Sequence, residues 1–484
     1  AEKCTYNIYK NGVFNGETDK THYTIDGLLP ETKYNIRIDV FCHGRKIEEF
    51  IKQIVTGDNR NKVDISKPPY NAVGDNQTVN TTAIQKAIDD CTKNDFLYVP
   101  KGIFLTGALK LPPNAEIYLD EGAVLQGTDN REDYLPLIKS RFEGIERSCY
   151  SALVNIGELD SKSGTDSKNI LIHGKGSILG GGKPLAENII NFEKNKPDYQ
   201  INCEKDHFDD EDVLAGRVRP RLINISNSSN VIIKGLTIGN GPCWNVHMIY
   251  SENIITNGCK FVSKGVWNGD GWDPDSSKNC TIFDCDFEMG DDCVAIKSGK
   301  NPEGNEINRP CENINIFDCR AIEGLGGIAI GSEMSGGVKN IRIWDCDFTK
   351  VRTGIEIKAT KKRGGYVKNI VAKNCRVPSI LLHSVWYNDD GIGAKEEPLF
   401  ENCIFEDIDI TGKAYIKPAA KIFEGIPDDV DYCSIDVAGF DNKKHLARNI
   451  RFRNIRIKQI GEKPQEIRLK FCKGIYFENI SCKE

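Results

Sequence analysis

Two short stretches concentrate the residues able to do acid–base chemistry. Trp267-Asn268-Gly269-Asp270-Gly271-Trp272-Asp273-Pro274-Asp275-Ser276 is followed by Gly290-Asp291-Asp292-Cys293-Val294-Ala295-Ile296-Lys297-Ser298-Gly299. Asp270 and Asp292 are 22 residues apart. A chain that coils with a period near that length brings both carboxylates to one place, and Asp291 joins them from the adjacent position. Carboxylates that crowd repel, which raises at least one pKa. A protonated acid beside an ionised base is what hydrolysis of a glycosidic bond requires. The same residues also suit calcium binding or a hydrated turn. Neighbouring strand residues point to opposite faces, so exposing both Asp291 and Asp292 requires a bend near Gly290. Lys297 follows closely and is a candidate ion-pair partner for one of them.

The elements that must position these groups are visible as a repeat. Asn230-Val-Ile-Ile-Lys-Gly-Leu-Thr-Ile is echoed at Asn253, Asn279, Asn313, Asn340 and Asn369, with later copies at Asn449 and Gly474. The spacings are 23, 26, 34, 27 and 29 residues. A unit this short cannot bury its own apolar face, but stacked copies can, which argues for a solenoid. Short strands without helical periodicity between them predict an all-β, right-handed parallel β-helix. Register then places Cys259, Cys285, Cys319, Cys346 and Cys375 in one internal ladder. That accounts by packing for many of the 18 cysteines, with a few disulfides as the lesser alternative. No CxxC pair occurs, which disfavours a zinc ribbon or a thioredoxin-type motif.

Composition excludes several classes. Net charge is −6 over 484 residues, which argues against nucleic acid as the main partner. No stretch approaches the ~18 consecutive apolar residues of a membrane helix. The chain opens on Ala1-Glu2-Lys3, which suggests a removed signal peptide or a trimmed start. Residues 59–70 are polar and contain Pro68-Pro69, which reads as a linker between a region of short strands over 1–58 and a main domain over 71–484. Tyr23 to Val40 alternates apolar and polar residues and predicts a strand with one buried face. Thr81 to Cys91 predicts a short amphipathic helix.

The first region resembles the later strands of a fibronectin type III module through Leu28-x-Pro30-x-x-x-Tyr34, truncated at its start. It implies a small β-sandwich-like spacer. From about residue 64 onward the chain resembles the polygalacturonases of glycoside hydrolase family 28. Gly290-Asp291-Asp292 matches that family's Gly-Asp-Asp motif in full. Asn268-Gly269-Asp270-Gly271 matches its Asn-Thr-Asp-Gly motif with Gly269 for Thr, and Trp244-Asn245-Val246-His247 resembles its Trp-x-x-His stretch. Ile330-Gly331-Ser332-Glu333-Met334-Ser335-Gly336-Gly337 is similar to the exo-acting bacterial branch.

The resemblance implies inverting hydrolysis of α-glycosidic bonds in pectic oligo- or polysaccharide, releasing galacturonate from chain ends. Asp291 would be the general acid, and Asp270 and Asp292 would hold and deprotonate the water. Asn268, His247, Arg219, Lys297, Glu356, Lys358 and Trp272 would bind substrate, with Trp267, Trp386 and Tyr387 as further sugar-stacking candidates. No metal and no cofactor is implied, since carboxylates suffice. A polymeric substrate implies a secreted or cell-envelope bacterial protein, while thiol-like cysteines also suit an intracellular setting; oligomeric state is not indicated. Two departures stand out. The family's Gly-His-Gly is Gly324-Leu325-Gly326 here, and its Arg-Ile-Lys is Glu356-Ile357-Lys358. They favour, as alternative, a different or neutral terminal sugar such as rhamnose of rhamnogalacturonan. Lys361, Lys362 and Arg363 remain as a basic cluster for an acidic sugar. A carbohydrate-binding pseudoenzyme and a lyase are the other classes compatible with such a solenoid.

Overall fold

A computed structural model describes residues 4–159, 167–199, 211–385, 387–412, 433–458 and 466–483. Trp386 falls outside them. The chain forms two compact units, residues 1–63 with 91–96, and residues 64–90 with 97–484.

In the first unit the strands Cys4–Lys10, Val13–Thr18, Lys33–Cys42 and Arg45–Val55 make one antiparallel sheet. A disulfide joins Cys4 to Cys42. The expected strand over 23–40 begins only at Lys33. Gly27 and Glu31 both adopt positive φ, and Pro30 lacks an N–H, so before residue 33 the regular ladder gives way to two isolated bonds, Glu31 N–H to Gly57 O and Thr56 N–H to Thr32 O. These four strands form a single sheet rather than two packed layers. Residues 59–70, expected as a linker, contain the strand Asn61–Asp64, which continues into the fully buried Ile65. The alternation Val63, Ile65 wins over the polar composition, and Pro68-Pro69 only ends the segment.

The second unit is the right-handed parallel β-helix. Its largest faces are parallel sheets of 13 and 18 strands among the described residues. Strands such as Lys278–Phe283, Cys311–Phe317, Val338–Trp344 and Tyr366–Val377 stack in parallel on one face, with Ile282 on Ile316 and Ile343, and Ile314 on Ile341 and Ile370, in successive coils. Inside, Ile282, Ile316 and Ile343 are almost wholly buried. The expected helix appears at Thr81–Asp90 and buries Ile84, Ala87 and Ile88. No helix among the described residues is long and apolar enough to cross a membrane.

The repeated Asn is a hydrogen-bonded ladder. From Asn114 through Asn169, Asn230, Asn253, Asn279, Asn313, Asn340, Asn369 and Asn402 to Asn449, each side-chain amide donates to the carbonyl oxygen of the one before, at 3.0–3.4 Å. Each sits at φ between 55 and 65°. Asn tolerates this left-handed conformation better than most residues, and its amide supplies both a donor and an acceptor. Coils at Asn169 and Asn402 join those read from sequence.

Cys259, Cys285, Cys319, Cys346 and Cys375 are all buried, and successive backbones pair beside them. Their Sγ atoms are free thiols that donate to backbone carbonyls, as Cys319 does to Phe317 at 3.3 Å.

Candidate active site

The sheet edge that carries the carboxylates is built from consecutive coils. Asn245 N–H donates to Asp270 O at 2.9 Å, Gly271 N–H to Asp292 O at 3.0 Å, and Cys293 N–H to Gly326 O at 2.7 Å. These bonds stack Asp270, Asp292 and Gly326 on one another. A bend at Gly290-Asp291 interrupts the coil, as the adjacent aspartates require. Asp291 is partly exposed while Asp270 and Asp292 are buried. The Leu325 N–H donates to Asp291 O at 3.0 Å, so Leu325 lies directly beside it.

Each of the two buried carboxylates is held by one lysine. Lys297 Nζ is 3.2 Å from Asp270 Oδ2, and Lys358 Nζ is 3.1 Å from Asp292 Oδ2. The Oδ1 atoms of Asp270 and Asp292 accept no N–H or hydroxyl hydrogen bond among the described residues. Burial raises Asp270, with Lys297 opposing it and Asp292 adding to the rise. Burial, then Asp270 and Asp292, lift Asp291 well above the usual carboxylate range, which favours its protonated form.

Lys297 is surrounded by acid. Besides Asp270 it lies 3.3 Å from Asp273 Oδ1 and 4.0 Å from Glu333 Oε2, and 4.6 Å from the Trp244 ring. Burial opposes its charge, but the carboxylates outweigh burial and hold it as an ammonium. Asp273 is fully buried, and burial plus Asp270 push it well above the normal range. Sequence reasoning gave Asp273 no role, although its place two residues before Asp275 on an outward-facing row was available.

Three residues expected to bind substrate do otherwise. Trp272 is fully buried, stacked in register between Val246 and Val294, and its indole N–H donates to Thr256 Oγ1 at 3.0 Å. It is one residue from Asp273, so it faces the opposite side of the strand, into the core. His247 is also fully buried. Its Nδ1 accepts from Arg221 Nε and its Nε2 meets Asp275 Oδ2, both at 3.4 Å. Burial lowers it to about 4, so it is neutral. Arg219 is buried as a brace: it donates to the carbonyls of Gly216, Pro242 and Trp267, and at 2.6 Å to Asn268 Oδ1. Asn268 itself remains partly exposed, at φ 53°.

His247 and Arg219 are buried beneath the hairpin Ile138–Phe142 and Ile145–Cys149, which sequence reasoning missed. Phe142 stacks on Trp244 at 4.9 Å, and Arg221 donates to Arg141 O. Arg141, with no exposure, donates to Asp275 Oδ1 and Ser276 Oγ, both at 2.9 Å. Burial acts to raise Asp275, but Arg141 and His247 hold it below the usual range.

Gly326 leaves room for Asp292. A Cβ there would lie 2.1 Å from Asp292 Oδ1. Gly326→Ala is therefore expected to displace the carboxylate and lower kcat by ~10²-fold with the fold intact, since a shift near 1 Å at a reacting group costs about that much. Steady-state kinetics beside circular dichroism checks it.

Three carboxyl groups gather on one side of a parallel β-helix, two of them buried with lysine partners and the third lifted above its usual range, an arrangement that suits carboxylate-dependent hydrolysis. Comparison with known proteins agrees. The model of glycosyl hydrolases family 28 matches residues 142–390. A probable polygalacturonase of Vitis vinifera is 31% identical over 380 residues, covering 74% of this chain and 70% of that protein. An exo-poly-alpha-D-galacturonosidase of Dickeya chrysanthemi is 27% identical over 381 residues, covering 75% of this chain and 63% of that protein. The solved hyperthermoactive exopolygalacturonase of Thermotoga maritima superposes with a TM-score of 0.72 at 26% identity, over 87% of this chain and 91% of that one. The chain belongs to glycoside hydrolase family 28, and is an O-glycosyl hydrolase.

Proposed function

We propose that the protein hydrolyses α-glycosidic bonds of pectic galacturonan with inversion, working from chain ends and releasing galacturonate. In this reading Asp291 protonates the glycosidic oxygen. Asp270 and Asp292 hold the attacking water through their Oδ1 atoms and take its proton. Lys297 and Lys358 fix the other oxygens and keep both carboxylates oriented. The observation that carries the reading is this asymmetry: two buried, lysine-held carboxylates whose Oδ1 atoms have no N–H or hydroxyl partner among the described residues, beside a third, partly exposed carboxyl that its surroundings lift well above the usual range. The names of the relatives support galacturonan as the polymer, and two of them support exo action. Asn268, oriented by Arg219, and Tyr387, near Lys358, are the contacts we assign to sugar.

Inversion is checked by proton NMR of the first product. Cleavage of an α bond with inversion yields the β-anomer first; an initial α-anomer overturns the mechanism. Unsaturated product absorbing in the ultraviolet would identify a lyase instead.

A second reading, a different or neutral terminal sugar, is favoured by Glu356. Its charge sits where the family resemblance places a cation, and interaction with Lys358 and His383 overcomes burial to hold it ionised, at about 2.

We read the N-terminal sheet as a fibronectin type III-like fragment serving as a spacer. The Leu29 N–H donates to the Tyr34 hydroxyl at 2.9 Å, a tyrosine-to-upstream-backbone contact like those at sandwich corners. Action on a polymer favours a secreted or cell-envelope location.

A further inference from the structure

Among the described residues the buried arginines are Arg141, Arg217, Arg219, Arg221, Arg352 and Arg363. All but one have partners. Arg141 pairs with Asp275 and Arg217 with Glu143. Arg219 and Arg221 donate to backbone carbonyls, and Arg363 to Asn301 Oδ1 and the Ser332 carbonyl. Arg352 is 7% exposed, yet its side chain has no hydrogen-bond or ion-pair partner among the described residues. A guanidinium cannot shed its charge, and a buried charge without a counter-charge is strongly unfavourable. Such a group marks a place where a ligand brings the missing anion.

The position of Arg352 says which ligand. Gly324 pairs with Val351 and Gly326 with Thr353, so Leu325 and Arg352 are neighbours on successive coils. The Leu325 N–H in turn donates to Asp291 O. Asp291, Leu325 and Arg352 therefore form one column, with the backbones of the acid and the arginine two strand spacings, about 10 Å, apart. Val351 is fully buried in the core, so Arg352 beside it faces outward, as Glu356 and Lys358 do further along the strand. Leu325 separates the two ends of the column. A guanidinium directly against Asp291 would favour its ionised form. An apolar side chain between them prevents that and leaves Arg352 unmatched.

Glu356, four residues on, does not answer Arg352. Its Oε1 meets His383 Nε2 at 2.8 Å, and its Oε2 accepts from Thr353 Oγ1 at 3.2 Å and lies 3.7 Å from Lys358 Nζ. The basic cluster expected to receive an acidic sugar is placed differently. Lys361 and Lys362 lie at the surface and pair with Glu397 and Asp389, while Arg363 has no exposure.

We propose that Arg352 is the specificity-determining residue that reads the carboxylate of the uronic acid unit seated against Asp291. It takes over from the cation that the family resemblance places at Glu356. The proposal rests on the reading of Asp291 as the general acid of a galacturonan hydrolase. With its glycosidic oxygen at Asp291, one pyranose ring extends past Leu325 toward Arg352. Its carboxylate meets the guanidinium fork through two parallel N–H···O bonds. A methyl ester or a neutral sugar brings no anion and leaves Arg352 unpaired.

The test compares kcat/KM of the full chain on trigalacturonate and on its fully methyl-esterified form. The wild type is expected to prefer the free acid by about 10-fold or more, the usual effect of a hydrogen bond to a charged group. Arg352→Met is expected to cut that preference to below about 3-fold, chiefly by raising KM for the free acid. A merely structural Arg352 would depress both substrates alike and leave the preference standing, which overturns the inference. A wild-type preference for the ester also overturns it and leaves hydrolysis in place. No turnover of either substrate overturns the hydrolase reading and the inference with it. Should Arg352→Met not fold, Arg352→Lys decides, because it keeps the charge and loses the fork. Its preference for the free acid must fall below that of the wild type; an unchanged preference overturns the inference.

Discussion

Asp291→Asn is expected to lower kcat by about 10²–10⁴-fold, the usual contribution of a general acid. Binding of oligosaccharide, read by calorimetry, should remain within about twofold, because the amide keeps the shape of the carboxyl group. The pH profile separates this from a structural defect. Asp291 is lifted well above the normal range by burial and by Asp270 and Asp292. The wild type should therefore lose activity as pH rises through that pKa and the acid is deprotonated. The residual rate of Asp291→Asn should lack this alkaline limb. A variant that keeps wild-type turnover would leave the chain a sugar binder on a hydrolase scaffold.

Arg141→Met is the substitution with the largest expected effect on stability, about 3–5 kcal/mol, the cost of leaving one partner of a buried ion pair alone. Arg141 and Asp275 are both without exposure, and neutral His247 cannot replace the lost charge. The sign with pH is specific. In the wild type Asp275 is held below the usual range, so its contribution is present above about pH 4 and lost as pH falls through the folded value. Without Arg141, burial of Asp275 is opposed only by His247 and the more distant Lys297, which shifts it toward its protonated form. The variant should thus be most destabilised near neutral pH and approach wild type in acid. Denaturant titration at two pH values reads this, and Arg141→Met with Asp275→Asn should recover part of the loss.

The solenoid was legible in the sequence because its determinants are local and repeated. An Asn at the turn, alternating Ile, and a small buried Cys recur in each coil at nearly fixed distances. The copy at Asn402 escaped because Ile408 takes the place of the ladder Cys, one buried apolar group serving as well as another. Asp270, Asp291 and Asp292 were legible for the same reason, since a coil's length brings them together.

What sequence could not reveal is what lies across the coils. Arg141 meets Asp275 from 134 residues away, and no spacing marks the hairpin that carries it. That hairpin turns His247 and Arg219, read as substrate contacts, into buried supports. Trp272 was a different error: its nearness to the aspartates suggested a sugar platform, although strand parity already turned it inward. The charge reversal at Glu356 was visible at once, but its setting depends on His383 and Asp436, which no sequence spacing ties to it.

The five aligned thiols carry a cost of manufacture. Once stacked, Cys259 to Cys375 are shielded from oxidants by the chain itself. Before stacking, the same sulfurs lie 26–34 residues apart on an open chain, distances at which loop closure is easy. Coil formation therefore races against sulfur chemistry during biosynthesis. A chain oxidised too early would be cross-linked in the very column that must zip shut, so yield in an oxidising host should fall while material made under reductant folds normally.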